Sequence, residues 1–195
     1  MIRLNLGSGP QPYLEYISID FDQENHPDVL WDITRPLPYS DGTVDEIFVS
    51  HVVEHFPLWQ IQDLLQDWCR ALKDGGVLWG FVPDGPAVAH QYLEAVYGGN
   101  REMEMVYLAN FCGGFTNNRY IGMGQIHYAV YSEPLLRETL GRGGFSYIEV
   151  EHQNPGKGDY RLAFTAVKGF YEPHDIRNIG YYPAVEGLDP PGGRR

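Results

Sequence analysis

The segment HVVEH, residues 51 to 55, sets His51 and His55 four positions apart with Glu54 beside them. On a helix this spacing places both imidazoles on one face, the H-x-x-E-H pattern of one class of zinc peptidases. Pro57 follows almost at once, so the segment reads as a short link from a strand to a helix, and a zinc-binding helix running through residue 55 is disfavoured. Three roles stay open. His51 and His55 meet a metal with Glu54 or His127 as partners, or they serve a ligand and the local structure, or they take part in acid–base catalysis. The reading adopted is the second, without metal.

A second group of residues points to a nucleotide-like ligand. LNLGSGPQP, residues 4 to 12, is an apolar run ending in Gly7-Ser8-Gly9, where backbone approaches a ligand that a side chain would keep away. Asp20 ends the next apolar run, placed to accept from two ribose hydroxyls, and Asp32 ends the one after, placed for an adenine amino group. Either aspartate alone is equally a turn-capping carboxylate. In register with the glycines they form one set at successive strand ends. Asp84, after the fifth strand, points to the same rim or caps the helix that begins near Pro86.

The elements that must carry these groups follow from periodicity. IRLNL (2–6), YISID (16–20), VLWD (29–32), EIFVS (46–50) and VLWGFVP (77–83) read as strands. Between the last two, Leu58, Ile61, Leu64, Leu65, Trp68 and Leu72 recur at helical spacing from Pro57 to Lys73, with Gly75-Gly76 as the stop. Strand, helix and strand make a right-handed parallel crossover. Residues 86 to 110 read as two short helices broken at GGN (98–100), and 111 to 131 as a Gly- and Tyr-rich loop. SEPLLRETLGRGG (132–144) reads as a helix capped by Ser132, and YIEVE with YRLAFTAV as an antiparallel pair at the sheet edge. The tail from Gly169 carries four prolines and five glycines in 27 residues and is expected to be irregular, mobile at DPPGGRR.

Composition narrows the function classes. The 195 residues suit one domain, and a formal charge of −12 argues against general phosphate binding to DNA or RNA. No apolar run approaches the length of a membrane span, and the default compartment is the cytoplasm. Cys69 and Cys112 lack zinc-ribbon or redox spacing.

LNLGSG, ISID, VLWDITRPLPYSDGTVDEIFVSHVVEHF and RALKDGGVLWGFVPD resemble the successive motifs of class I, Rossmann-like S-adenosylmethionine-dependent methyltransferases, closest to a short bacterial subgroup. The resemblance covers about residues 2 to 85, and 127 to 168 more loosely. It implies an α/β fold with a mostly parallel sheet, an antiparallel edge strand and a lid-like insertion after the fifth strand, at about 86–131. The domain then runs over 1–168, with a tail at 169–195. The family's cofactor, S-adenosylmethionine, would have Gly7 and Gly9 against its methionine moiety, Asp20 at the ribose, Asp32 and Ile33 at the adenine, and Ser50 and His51 at the methionine end. Ser8 and Phe21 are counted with them. The implied catalytic candidates are His127, His51 and Asp84, and the implied acceptor is a small or sugar-containing molecule, because Ser50-His51 stands where enzymes acting on amide or base nitrogens carry a Pro-Pro motif.

Two departures stand out: Asn5 and Gln11 replace the family's acidic residue and third glycine. In addition, only nine and eight residues join the first three strands, too few for full helical crossovers, which need at least about ten to twelve. The first helices are therefore shortened, and one wall of the cleft is open or is closed by a second subunit in a homodimer. A non-catalytic binder of the same nucleoside and a metal-dependent hydrolase built on HVVEH are the alternatives.

Overall fold

In the computed structural model of the chain, residues 1–113, 115–116, 119–120, 125–156 and 158–169 are described. Leu4 and Leu6 of β1 (Arg3–Leu6), Ile19 of β2 (Ile17–Asp20), Ile47 and Val49 of β4 (Val44–Ser50) and Leu78 of β5 (Leu72–Pro83) are all fully buried and lie at alternate strand positions. They form one apolar sheet face. Helix α1 (Leu58–Ala71) covers it with Ile61, Leu64, Leu65 and Trp68, and α4 (Glu133–Arg142) adds Leu136 and Leu140. Burying each such side chain contributes about 1.5–3 kcal/mol. The helical period of α1 fails at Leu72, which already pairs with Val44, and the carbonyls of Arg70 and Ala71 accept from Gly42 and Thr43 N–H. Strand β5 thus begins before the Gly75-Gly76 turn, five residues earlier than the apolar run suggests.

Among the described residues the sheet has seven strands in the order β3-β2-β1-β4-β5-β9-β8, with β3 at Val29–Leu30, β8 at Phe145–Gln153 and β9 at Arg161–Lys168. The first five are parallel. The reversed strand is β9, antiparallel to β5 and β8, so it lies one place in from the edge. After α4 the chain runs out to the edge as β8 and returns as β9 into the slot beside β5.

No α-helix joins β1 to β2 or β2 to β3; a single 3-10 turn, Gln23–Asn25, stands in the second gap, capped by Asp22 Oδ1 accepting from Glu24 N–H at 2.9 Å. The shortening is thus complete. Aromatic rings cover the second sheet face in place of a helix. Asn5, Phe48 and Trp79 are register partners there, and the chain between β1 and β2 lays Tyr13 on Phe48 at 4.7 Å, with Phe48 on Trp79 at 4.3 Å. Buried Glu46 accepts from Tyr16 OH and, at 2.6 Å, from Trp79 Nε1. Asn5 Oδ1 accepts from Tyr13 N–H at 2.9 Å, a task that an amide oxygen performs as well as a carboxylate.

After β5, α2 (Gly85–Tyr97) and α3 (Arg101–Cys112) pack together through Val88, Ala95 and Tyr107. A short hairpin follows, β6 (Phe115–Thr116) paired with β7 (Arg119–Tyr120). The tail from residue 170 lies outside the described residues, as does part of the 111 to 131 segment. No helix among the described residues is long and apolar enough to cross a membrane.

Asp84 caps α2, its Oδ1 accepting from Ala87 N–H at 3.2 Å, while Oδ2 lies 2.6 Å from His152 Nδ1. His152 Nε2 is 3.1 Å from Glu133 Oε2. The Asp84 hydrogen bond, foremost, raises His152 above the ordinary imidazole value, and hydrogen bonds from Arg137 and then His152 hold Glu133 below the ordinary carboxylate value. A raised histidine stabilises the fold below its unfolded pKa and loses that effect as pH rises through the higher folded pKa. Most of the His152 side chain is exposed, so the effect is small. His152→Gln is expected to lower Tm at about pH 6 and to match the parent chain by about pH 8.5 in a melting series. A Tm gap that is the same at both pH values would contradict the pairing.

Candidate functional site

The carboxyl ends of β1, β2 and β4 open into a cleft of about 1070 Å³, large for a small-molecule site because no helix closes the side next to β2. Gly7 turns the chain out of β1 at φ 61°, a conformation in which a side chain is strained, and a Cβ there would stand 2.8 Å from Val52 Cγ2. Ser8 N–H donates to Ile19 O at 3.2 Å and Gly9 N–H to Asp20 Oδ2 at 2.8 Å, so the glycine turn is tied to β2. Asp20 is buried; its Oδ1 accepts from Asp22 N–H at 2.9 Å. Each carboxylate oxygen keeps a lone pair that can face the cleft.

Around this turn lie Phe21, 69% exposed on the cleft wall, and Asp32 with Ile33. Asp32 Oδ1 accepts from Thr34 Oγ1 at 2.7 Å and Thr34 N–H at 2.9 Å, which holds its pKa below the ordinary carboxylate value. The strand expected over VLWD keeps only Val29 and Leu30: Trp31 N–H donates to Asp20 O at 2.8 Å as a ladder bond at the point where β2 itself ends, and Asp32 passes into a turn in which its carbonyl accepts from Arg35 N–H at 3.0 Å. Ser8 Oγ is buried without a protein partner among the described residues. An orphaned hydroxyl, an open glycine turn and two carboxylates fit a nucleoside bearing an amino-acid chain.

At the other end, HVVEH is no helix. His51 follows β4 with φ 54°, held by its N–H to Phe81 O at 3.0 Å, and Val53–His55 is one 3-10 turn. A residue of this kind in the left-handed region is a strained element of the sort found at functional sites. His51 Nδ1 is 3.1 Å from Glu54 Oε1. Burial lowers the His51 pKa most strongly, but the hydrogen bond and charge of Glu54, joined by Asp159, outweigh it and leave the value raised. Burial pushes His127 below the ordinary imidazole value against the pull of Glu54.

The structure therefore brings Gly7, Ser8, Gly9, Asp20, Phe21, Asp32, Ile33, Ser50, His51 and His127 to one cleft. Asp84 stands apart, outside the cleft lining, engaged with α2 and His152. Sequence reasoning missed Asn110, Tyr13 and Phe81, which also line the cleft. Phe48 and Phe81 sit on the Trp79 face at period two, a signal that would have found them; Asn110 has none.

Residues 8–80 match a family model described as a methyltransferase domain. Among solved structures, a SAM-dependent methyltransferase from Archaeoglobus fulgidus superposes at TM-score 0.60 with 17% identity, covering 85% of each chain. A possible exported protein from Bordetella parapertussis gives TM-score 0.58 at 14% identity over 87% of this chain and 62% of that one. Phosphoethanolamine N-methyltransferase 2 of Haemonchus contortus, in complex with S-adenosyl-L-methionine, gives 0.56 at 14% over 87% and 49%. This chain thus spans about half to three fifths of the length of the last two. No curated protein matches its sequence. At these identities the structures speak to the fold.

Proposed function

From the premise that this chain is built on the class I S-adenosylmethionine-dependent methyltransferase fold, with a methyltransferase-domain match over residues 8–80, we propose that it transfers a methyl group to an oxygen of a small or sugar-containing acceptor. The observation that carries this reading is the glycine turn tied to Asp20, with Asp32 beside it, at the carboxyl ends of the first parallel strands.

The bound cofactor supplies a sulfonium methyl that is already electrophilic, so the protein's work is alignment and the exclusion of water. Asp20 would accept from the ribose hydroxyls through its free lone pairs. The Gly7-Ser8-Gly9 backbone would hold the methionine part, and Phe21 and Ile33, with Asp32, would hold the adenine. At the acceptor end, His51 turns Nδ1 to Glu54 and keeps Nε2 for a hydroxyl proton, the arrangement of an oriented general base. His127, Asn110 and Tyr128 also line the cleft. The acidic surface, with net charge −12, disfavours a nucleic-acid acceptor. The two cysteines are both free, in keeping with a reducing compartment such as the cytoplasm.

Incubation with methyl-labelled S-adenosylmethionine and a whole-cell extract, followed by separation by size, tests the acceptor class. Label is expected in the small-molecule fraction as a base-stable ether. Label in protein or nucleic acid would overturn the reading.

A further inference from the structure

His55 and His127 line the cleft, and buried Glu54 meets them there: each of the three offers a ligand atom, and these atoms all lie within 4.8 Å of one another. The rings of the two histidines stand 4.8 Å apart at 75°. The groups come from chain segments 72 positions apart, His55 to His127, joined because Tyr128 N–H donates to Glu54 O at 2.8 Å.

Two further observations give this cluster chemical direction. His55 Nδ1 is 3.1 Å from Ile126 O and His127 Nδ1 is 2.9 Å from Asn110 O. A carbonyl only accepts, so both Nδ1 atoms carry hydrogen and both Nε2 atoms keep a lone pair. This is the tautomer of a metal-bound histidine, and a backbone carbonyl behind the ring is its usual support. In addition, the Glu54 side chain is wholly buried; Oε1 faces His51, and Oε2 has no partner among the described residues. A buried carboxylate oxygen left unpaired is costly, and a cation removes that cost.

We propose that Glu54, His55 and His127 bind a divalent transition-metal ion, with His51 holding the carboxylate in place. Two imidazoles and one carboxylate suit zinc and its neighbours better than magnesium or calcium, which prefer oxygen alone. Ligand atoms on a tetrahedral ion lie about 3.4 Å apart, so the side chains close by roughly an ångström through rotation about their χ angles. The set leaves an open position toward the cleft. There the ion would bind the acceptor's hydroxyl and ease loss of its proton to His51, with no change in the methyl balance. That role rests on the proposed reaction; the binding of the ion does not. The metal set aside on the sequence of HVVEH thus returns with another ligand set, in which His127 takes the place of His51.

The test is a titration of chelator-stripped protein with Co2+ alone, followed by visible absorption. One saturable equivalent with ligand-field bands is expected, weakened by more than about tenfold in Glu54→Gln and in His127→Asn, and unchanged in the exposed His90→Ala. S-adenosylhomocysteine titration of the same variants reports whether each remains folded. Where a variant fails to fold, blocking of His55 and His127 from diethyl pyrocarbonate by Zn2+ in the parent chain replaces it. No saturable equivalent in the parent chain, or the parent's affinity kept in both variants, would overturn the site. S-adenosylhomocysteine binding without Co2+ binding would overturn the metal alone, and the reverse would overturn the cofactor reading alone.

Discussion

Asp20→Ala is expected to weaken S-adenosylhomocysteine binding by about 10²- to 10⁴-fold. Two hydrogen bonds from ribose hydroxyls to a charged acceptor contribute about 1.5–3 kcal/mol each, and their joint loss converts to that range. The substitution also releases Gly9 N–H, now 2.8 Å from Oδ2, and Asp22 N–H, 2.9 Å from Oδ1, so the glycine turn loosens together with the ribose contact. Asp20→Asn separates the two effects. One oxygen survives to hold a backbone N–H, while the second position turns from acceptor to donor. A loss in Asn that falls between the parent and Ala would assign part of the effect to the turn. A loss of under about tenfold in Ala would remove Asp20 from the cofactor site.

Gly80→Ala is expected to destabilise the fold by about 3 kcal/mol or more, a fall in Tm of roughly 6–12 °C. Gly80 lies in β5 between β4 and β9, opposite Val49 and Phe164. A Cβ there would stand 1.8 Å from Val49 O and 2.9 Å from Val49 Cγ2. The first of these is backbone of a paired strand and has no flexible end to move aside. Relief requires that β4 and β5 part at the point where Ser50 and His51 leave β4 for the cleft. Loss of ligand affinity is therefore expected along with loss of stability. A melting curve within about 2 °C of the parent would mean that the strands are further apart than the structure has them.

Much of this architecture is legible in the sequence where a period is long. The helix from Leu58 and the strands on either side follow from apolar spacing alone, and the missing early helices follow from counting residues between strands. Elements decided by a single tertiary bond are not. Strand β3 stops at Leu30 because its partner β2 ends at Asp20, and β5 starts at Leu72 because Val44 is its partner. The end of the cleft at Gly7, Asp20 and Asp32 was readable for a related reason: these residues lie at or beside strand ends, and strand order brings strand ends together. The end at His51 and His127 was only partly so. His127 meets His55 through the backbone of Glu54, and Asp84 meets His152 across 68 positions, distances over which no local pattern operates. Asp84, ambiguous in the sequence between rim and cap, serves as the cap.

Methyl transfer by this chain is tested most directly by a calorimetric titration with S-adenosylhomocysteine, with chelator present throughout. Saturation at one equivalent with micromolar affinity is the expected result, since the proposed cofactor site is made of Asp20, Asp32 and the glycine turn and needs no metal. Absence of binding heat under conditions where the chain is folded would contradict the cofactor site and, with it, methyl transfer.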